Sequence, residues 1–494
     1  MLQVFLKKKP LELMLSQKDV DDLQEKARSD FGHIVTSLCS IHVKDAIATN
    51  PEDQKKIFGW IENGTDDGEP GIGCYKFETA IIAAVRSWLI KTAHDLRNKH
   101  TETHGRDTRF LLGLGKLYML IDQTRQQADV KGPNVRGGYD LALETFEKCL
   151  ELQPADRAEH AEIAETWLHM GKVHHHRSEY EKAVEKFTMA LQMQLKLGLH
   201  VEAAVTQGEI GYTQFYQGKF KDALLSLREA EAVLLRTEDK EIEAARTQRN
   251  IGHCLYRLSK YDDAEKEFRR AIDTLKRRLV SDHPEIAETE LRLGDTFKRQ
   301  SDPRATPPLP EGERTAREQQ AFELFCAAQR TLEKVYGEEH ELVAQACNSK
   351  GHICNTRKQY AEAKELFDRA VRILKLLHGD KPHKDIADSL NCIGVIHKDQ
   401  HEWPQALDYF VRARDLYCKI HSTENHIDVA ACDNYAAEVY LQMTDYEGAR
   451  KAAEKALETR KKNLKPDSRQ VIASETLMRR IESAIEEKSR PLCQ

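Results

Sequence analysis

The chain has 494 residues, of which 40% are hydrophobic, 32% charged and 7% aromatic, with a formal net charge of −6. Such a length exceeds one small core and implies several domains or a repeat array, and the mildly acidic balance excludes bulk attraction to nucleic acid or an acidic membrane. Ala, Leu, Glu, Lys and Arg outweigh the residues a sheet favours, which points to an all-α fold.

At the start of the chain, "MLQVFLKKKPLELML" places its charges after a short apolar run, the reverse of a secretory signal. No stretch approaches the roughly 18 apolar residues of a membrane span, so the expected location is cytoplasmic. The eleven cysteines are scattered with no C-x-x-C pair, as free structural thiols are, rather than a disulfide framework or zinc site. Residues 1–107 read as an N-terminal helical region, with helices near 16–46, 51–62 and 77–97. In the last, Phe77, Ala80, Ile81, Ala84, Val85, Trp88 and Leu89 form a stripe at helical spacing. The loop "NGTDDGEPGIG" lacks the spacing and the Lys-Ser/Thr of a phosphate-binding loop and reads as a connector.

From residue 108 the chain repeats itself. Gly171 is followed by Tyr180, Ala183, Phe187 and Ala190, and the spacing recurs from Gly211 (Phe220, Ala223, Leu227, Ala230) and from Gly252 (Tyr261, Ala264, Phe268, Ala271). It continues from Gly351 (Tyr360, Ala363, Phe367, Ala370), Gly394 (Trp403, Ala406, Phe410, Ala413) and Ala437 (Tyr446, Ala449, Ala453, Ala456). Two further copies start at Gly115 and Gly294, with inserts near 124–138 and 301–316 before their second halves. Eight copies thus cover 108–458, and a capping helix with a polar outer face is expected over 468–490.

Each copy reads as a helical hairpin. The small residue lets two helices approach closely, and the Ala-aromatic-Ala stripe buries one face of the second helix. A hairpin alone leaves a face uncovered, so the copies must stack into a solenoid with a concave surface. These residues resemble the tetratricopeptide signature, and repeats opening with "SDHPEIA", "EEHELVA", "KPHKDIA" and "ENHIDVA" resemble the extended kinesin light chain and nephrocystin type. The resemblance implies a right-handed superhelical solenoid of antiparallel helix pairs, acting as a non-enzymatic scaffold or adaptor for peptide segments of partner proteins. It also implies an alternative, a kinesin-light-chain-like cargo or ciliary adaptor associated with cytoskeleton or cilium; a further alternative, from a different class and independent of the resemblance, is a signalling protein whose residues 1–107 are an effector domain with the repeats as sensor. The heptad coiled coil that joins kinesin light chains to their motor has no counterpart in residues 1–107.

Histidine is the natural metal or acid/base residue, and the stretch "KVHHHR" holds three in a row, His174, His175 and His176. Consecutive helical residues diverge by about 100°, so the three cannot converge on one ion. His160, His200, His283, His340, His383 and His426 each lie eleven residues before the small residue of their repeat. A catalytic or metal centre is built once; the same residue in six hairpins reads as a structural element at the start of the first helix. No catalytic motif, metal site or cofactor is expected.

Counting the small residue as position 8, positions 5, 9 and 12 share one side of the first helix. They give a candidate peptide groove of Arg249, His253, Tyr256, Lys298, Asn348, His352, Asn355, Asn391 and Asn434. Three asparagines in one slot offer donor and acceptor to both backbone groups of an extended peptide, and the kinesin-light-chain resemblance implies that role for Asn348, Asn391 and Asn434. Arg246, Arg249, Arg292 and Lys298 favour acidic segments. In the second insert, "RATPPLP" (Arg304 to Pro310) fits the pattern that polyproline-binding domains read, or serves as a stiff connector.

Overall fold

A computed structural model describes residues 108–119 apart from 110 and 117, then 137–152, 161–302, 309–379 and 381–489. The helices expected within 1–107, most of the insert near 124–138 and the 303–308 part of the proline-rich stretch lie outside the described residues. Described residues are helices and short connections, without strands. They fall into two compact units, Met1–Leu258 and Ser259–Gln494.

In the first unit the described residues of 108–119 are helical, followed by α1 (Gly138–Glu151), α2 (Ala161–His176), α3 (Tyr180–Lys196), α4 (His200–Tyr216), α5 (Phe220–Leu234) and α6 (Glu241–Arg257). The second unit holds α7 (Tyr261–Arg278), α8 (Pro284–Gln300), α9 (Glu311–Tyr336), α10 (Glu341–Thr356), α11 (Tyr360–His378) and α12 (Lys384–Asp399). It continues with α13 (Trp403–His421), α14 (Ile427–Gln442), α15 (Tyr446–Asn463) and α16 (Arg469–Ser489). Because α9 begins at Glu311, the final residues of the stretch read as an insert at 301–316 are helical.

Sequence decides how each hairpin closes. Three-residue turns join α2 to α3, α4 to α5, α10 to α11, α12 to α13 and α14 to α15, which forces the paired helices antiparallel. The middle turn residue is left-handed in each: Ser178, Gly218, Lys358, His401 and Thr444. A backbone bond then reaches back over the turn, as from Glu179 N to the His174 carbonyl at 2.9 Å and from Gln359 N to the Cys354 carbonyl at 2.8 Å.

The small residue acts as the sequence suggests. A Cβ on Gly171, Gly294, Gly351 or Gly394 would lie 2.6 to 2.9 Å from a ring carbon of Phe187, Phe325, Phe367 or Phe410, and on Gly211 it would lie 2.7 Å from Leu227. Those rings are buried, and three of them also reach the next hairpin: Phe187 packs with Ile210 of α4, Phe367 with Ile393 and Ile396 of α12, and Phe410 with Val439 of α14. Stacking thus uses the same side chains as hairpin closure. Within each unit the first helices also approach one another, α2 with α4 and α4 with α6, then α8, α10, α12, α14 and α16 in series. Second helices make no comparable approach, so the first helices form the inner face. The series ends at α16, whose Val471, Ser474, Leu477 and Ile481 are buried at helical spacing while its opposite face is exposed.

Four of the repeated histidines have a defined task. His283, His340, His383 and His426 are the N-cap residues of α8, α10, α12 and α14, and each Nδ1 accepts the backbone N–H two residues on, at 3.2 Å. His160 lies outside the described residues, and His200 is the first residue of α4 behind an N-cap at Leu199. Substituting His340 by alanine is expected to lower the stability of the second unit by about 1 kcal/mol, with asparagine restoring most of it, because only the acceptor at the cap is lost. Urea unfolding checks this; equal losses for both variants would show that ring packing, not the cap, matters.

Candidate functional site

The inner face of the second unit carries a cleft of about 500 Å³ crossing four consecutive first helices. Lys298 and Arg299 of α8, Ser301 and Asp302 just after it and Glu318 of α9 stand at one end, His352, Ile353, Asn355 and Thr356 of α10 and Asn391, Cys392 and Val395 of α12 fill the middle, and Tyr435 of α14 closes the other end. Of the nine residues read from the sequence as groove contacts, Lys298, His352, Asn355 and Asn391 line it. Tyr435, Cys392, Val395, Ile353 and Thr356 were missed. Their signal was present: Val395 is at position 9, one of the positions chosen, and Cys392 and Tyr435 at position 6, Ile353 at position 10 and Thr356 at position 13 are immediate neighbours of those positions.

Polar chemistry in the cleft is graded. Lys298 Nζ sits 3.0 Å from Asp295 Oδ1, and Ser349 Oγ donates to the same oxygen at 3.1 Å. Burial pushes the Asp295 carboxyl up, but Lys298 and Arg292, with these hydrogen bonds, outweigh it and hold the pKa below the ordinary value. His352 meets the Phe367 ring edge-on at 5.3 Å. Burial first, then Lys298 and Arg299 against the opposing pull of Asp295, drives its pKa down to about 3, so the ring is neutral. Burial pushes the Cys392 thiol up to about 12, which leaves it protonated and weakly nucleophilic.

The asparagines differ from one another. Asn348 has its amide oxygen 2.8 Å from Ser389 Oγ, and Asn391 accepts from Cys432 Sγ at 3.6 Å; in both, the partner comes from the next first helix. Asn434 is only 6% exposed, and its oxygen accepts from Ser474 Oγ of α16 at 2.8 Å and from Arg460 Nη1 at 3.1 Å. The slot read as a row of peptide holders is therefore first a stitch between repeats. Asn434 is engaged inside the protein, and Asn348 does not line the cleft. In the cleft itself, the Asn391 amide nitrogen has no protein partner among the described residues. Asn355 Oδ1 is a buried acceptor with no partner there either.

Arg249, His253 and Tyr256 lie half-buried along α6 in the first unit. There the inner face is aromatic rather than amide-rich. His253 stands 5.9 Å from Phe215, and His175 stacks on Tyr212 at 5.1 Å and meets Tyr216 edge-on at 5.2 Å. The three consecutive histidines point to three different partners: His174 Nδ1 to Glu179 Oε2 at 2.8 Å, His175 Nδ1 to Thr213 Oγ1 at 3.0 Å, and the His176 ring to Tyr139 at 5.9 Å. Burial, then the neighbouring His176, lowers the His175 pKa to about 4 against the pull of Glu209, so this ring is neutral near pH 7.

A family model described as "Tetratricopeptide repeat" matches residues 162–236, 243–305 and 385–468, and a second of the same description matches 344–373. The chain belongs to the tetratricopeptide repeat family. Among solved structures, the apo form of the quorum sensor NprR from B. thuringiensis is similar over 78% of this chain and 96% of its own, at 12% identity and a TM-score of 0.51. The apo form of RapI is similar over the same shares at 13% identity and 0.50. BtubC (BKLC) from P. vanneervenii covers 49% of this chain and 92% of its own, at 16% identity and 0.41. No curated protein sequence matches the chain. At these identities the likeness concerns the fold alone, and the tetratricopeptide array supplies the frame for the cleft described above. No helix among the described residues is long and apolar enough to cross a membrane.

Proposed function

We propose that this tetratricopeptide repeat protein is a non-enzymatic, cytoplasmic adaptor that holds an extended peptide of a protein partner in the inner cleft of its second unit. The observation that carries the reading is Asn355 Oδ1, a buried acceptor in that cleft with no partner among the described residues, beside Asn391, whose oxygen is engaged by Cys432 and whose amide nitrogen is left to donate. A buried acceptor left unpaired costs about 1–3 kcal/mol. A peptide group, with one N–H and one C=O, satisfies both without a side-chain requirement. Lys298, Arg299, Asp302 and Glu318 make one end charged with both signs, which suits a polar segment of the ligand, and Val395 and Tyr435 at the other suit an apolar one. The neutral His352 makes binding through this cleft insensitive to pH between about 5.5 and 7.5.

The test is to select peptides on the full chain from a random display library and to measure the best of them against variants. Asn355→Ala with Asn391→Ala is expected to weaken binding at least tenfold, which corresponds to about 1.4 kcal/mol. Asn434→Ala, whose oxygen faces Arg460 and Ser474, should alter stability rather than affinity. Selected peptides that bind the double variant as tightly as the parent protein would refute the cleft assignment. The proline-rich stretch from Arg304 to Pro310 remains a second candidate contact, for a polyproline-binding domain; unchanged capture of such a domain by a Pro307→Ala, Pro310→Ala variant would dismiss it.

A further inference from the structure

The junctions between repeats of the second unit share a capping histidine but differ in what surrounds it. At three of them the ring stacks on a residue from the end of the preceding helix: His340 on Tyr336 at 4.3 Å, His383 on His378 at 4.5 Å and His426 on His421 at 3.4 Å. Two junctions therefore hold a histidine pair. They diverge at the residue that opens the first helix of the preceding repeat, immediately after that repeat's own capping histidine. This slot is Glu341 beside His378 and His383, and Lys384 beside His421 and His426.

We propose that Glu341, His378 and His383 form a binding site for a divalent transition-metal ion of the zinc type, joining the start of α10, the end of α11 and the start of α12. One ligand atom from each residue lies within 4.8 Å of the others. A tetrahedral ion about 2.0–2.1 Å from each donor holds them about 3.3 Å apart, a contraction that side-chain rotation supplies. Glu341 is exposed and the two histidines are partly so, which leaves the fourth position to water. Two imidazoles and one carboxylate suit a borderline-soft ion better than calcium or magnesium, which take oxygen ligands.

Binding has a defined local cost. His383 Nδ1 accepts the Asp385 N–H, so the neutral ring carries its proton on Nε2. Offering either nitrogen to a metal exchanges that cap hydrogen bond for a coordinate bond. A cation near a helix N-terminus also opposes the helix dipole, and Glu341 together with Asp385 in the first turn of α12 supplies the compensating negative charge.

The neighbouring junction is a control built into the chain. His421 Nε2 lies 3.1 Å from Asp428 Oδ2, so histidines and a carboxylate converge there as well. Lys384 Nζ, however, sits 3.1 Å from the same carboxylate oxygen and already provides the cation. The repeated histidine is thus structural at each capped junction, and the inference adds metal binding at the one junction where an acidic residue replaces the lysine.

Cobalt(II) titration of the metal-stripped full chain tests this, read by the visible absorption of tetrahedral cobalt and by competition with zinc. One ion is expected to bind in the micromolar range or tighter. Glu341→Lys and His378→Ala should each weaken it more than about tenfold, with helicity by circular dichroism unchanged for the exposed Glu341 position. His421→Ala should leave it unaltered. The assignment is overturned if cobalt gives no tetrahedral spectrum, or if its affinity is the same in Glu341→Lys as in the parent protein.

Discussion

Alanine at position 394 is expected to destabilise the second unit by about 1–3 kcal/mol, and alanine at position 410 by about 3–5 kcal/mol, yet the two changes together should cost clearly less than their sum. A Cβ on Gly394 would stand 2.7 Å from Phe410 Cε1, and that ring is fully buried between α12, α13 and α14. The ring has nowhere to move, so the added methyl is overpacking. Removing the ring opens a cavity into which the same methyl then fits. The final repeat carries this combination naturally, with Ala437 in the glycine slot and Ala453 in the aromatic slot, both fully buried in one cluster with Leu477 and Ile481 of α16. A double-mutant cycle by urea unfolding measures the coupling, and strict additivity would contradict the packing argument.

The second large effect concerns acid. His352 has a folded pKa of about 3, below the ordinary value of 6.5 because of burial and the nearby Lys298 and Arg299. A depressed folded pKa means that the unfolded chain binds the proton first. Its contribution to stability is therefore complete above about pH 6.5 and is lost progressively as the pH falls toward about 3. Between pH 7 and pH 4 the loss from this residue is on the order of 3 kcal/mol, at about 1.4 kcal/mol per pH unit. His352→Gln should remove that part of the acid sensitivity of the second unit while carboxylate contributions persist in both proteins. Urea midpoints at the two pH values give the comparison, and an identical acid loss in the variant would show that His352 is not buried as described.

Much of this architecture was legible in the residue spacing. Gly394, Phe410 and their counterparts recur because a hairpin needs a gap opposite a ring, and that requirement is local to some twenty residues. The capping histidines were legible for a similar reason: a helix start leaves N–H groups that a side chain two residues back can satisfy. The three consecutive histidines were correctly separated by helical geometry alone, since each meets a different partner. What helical geometry did not show is the protonation of His175: burial against the neighbouring helix keeps it neutral down to about pH 4, and that burial is set by packing rather than by spacing.

Sequence by itself determined the helical hairpin, its repetition and the side of each first helix that faces inward, because those follow from i, i+3, i+4 and i+7 spacing within one helix. Only the tertiary structure decided which inward residues remain available to a ligand. Asn348, Asn391 and Asn434 occupy one slot and look equivalent along the chain, but Ser389, Cys432 and Ser474, each about forty residues further on, meet them differently. In the same way Glu341 and Lys384 occupy one slot, and only the stacking of one repeat on the next sets an acid beside one histidine pair and an ammonium beside the other. A side chain's free hydrogen-bonding capacity is what remains after its neighbours in space have taken their share, and those neighbours are chosen by the packing of repeats rather than by adjacency in the chain.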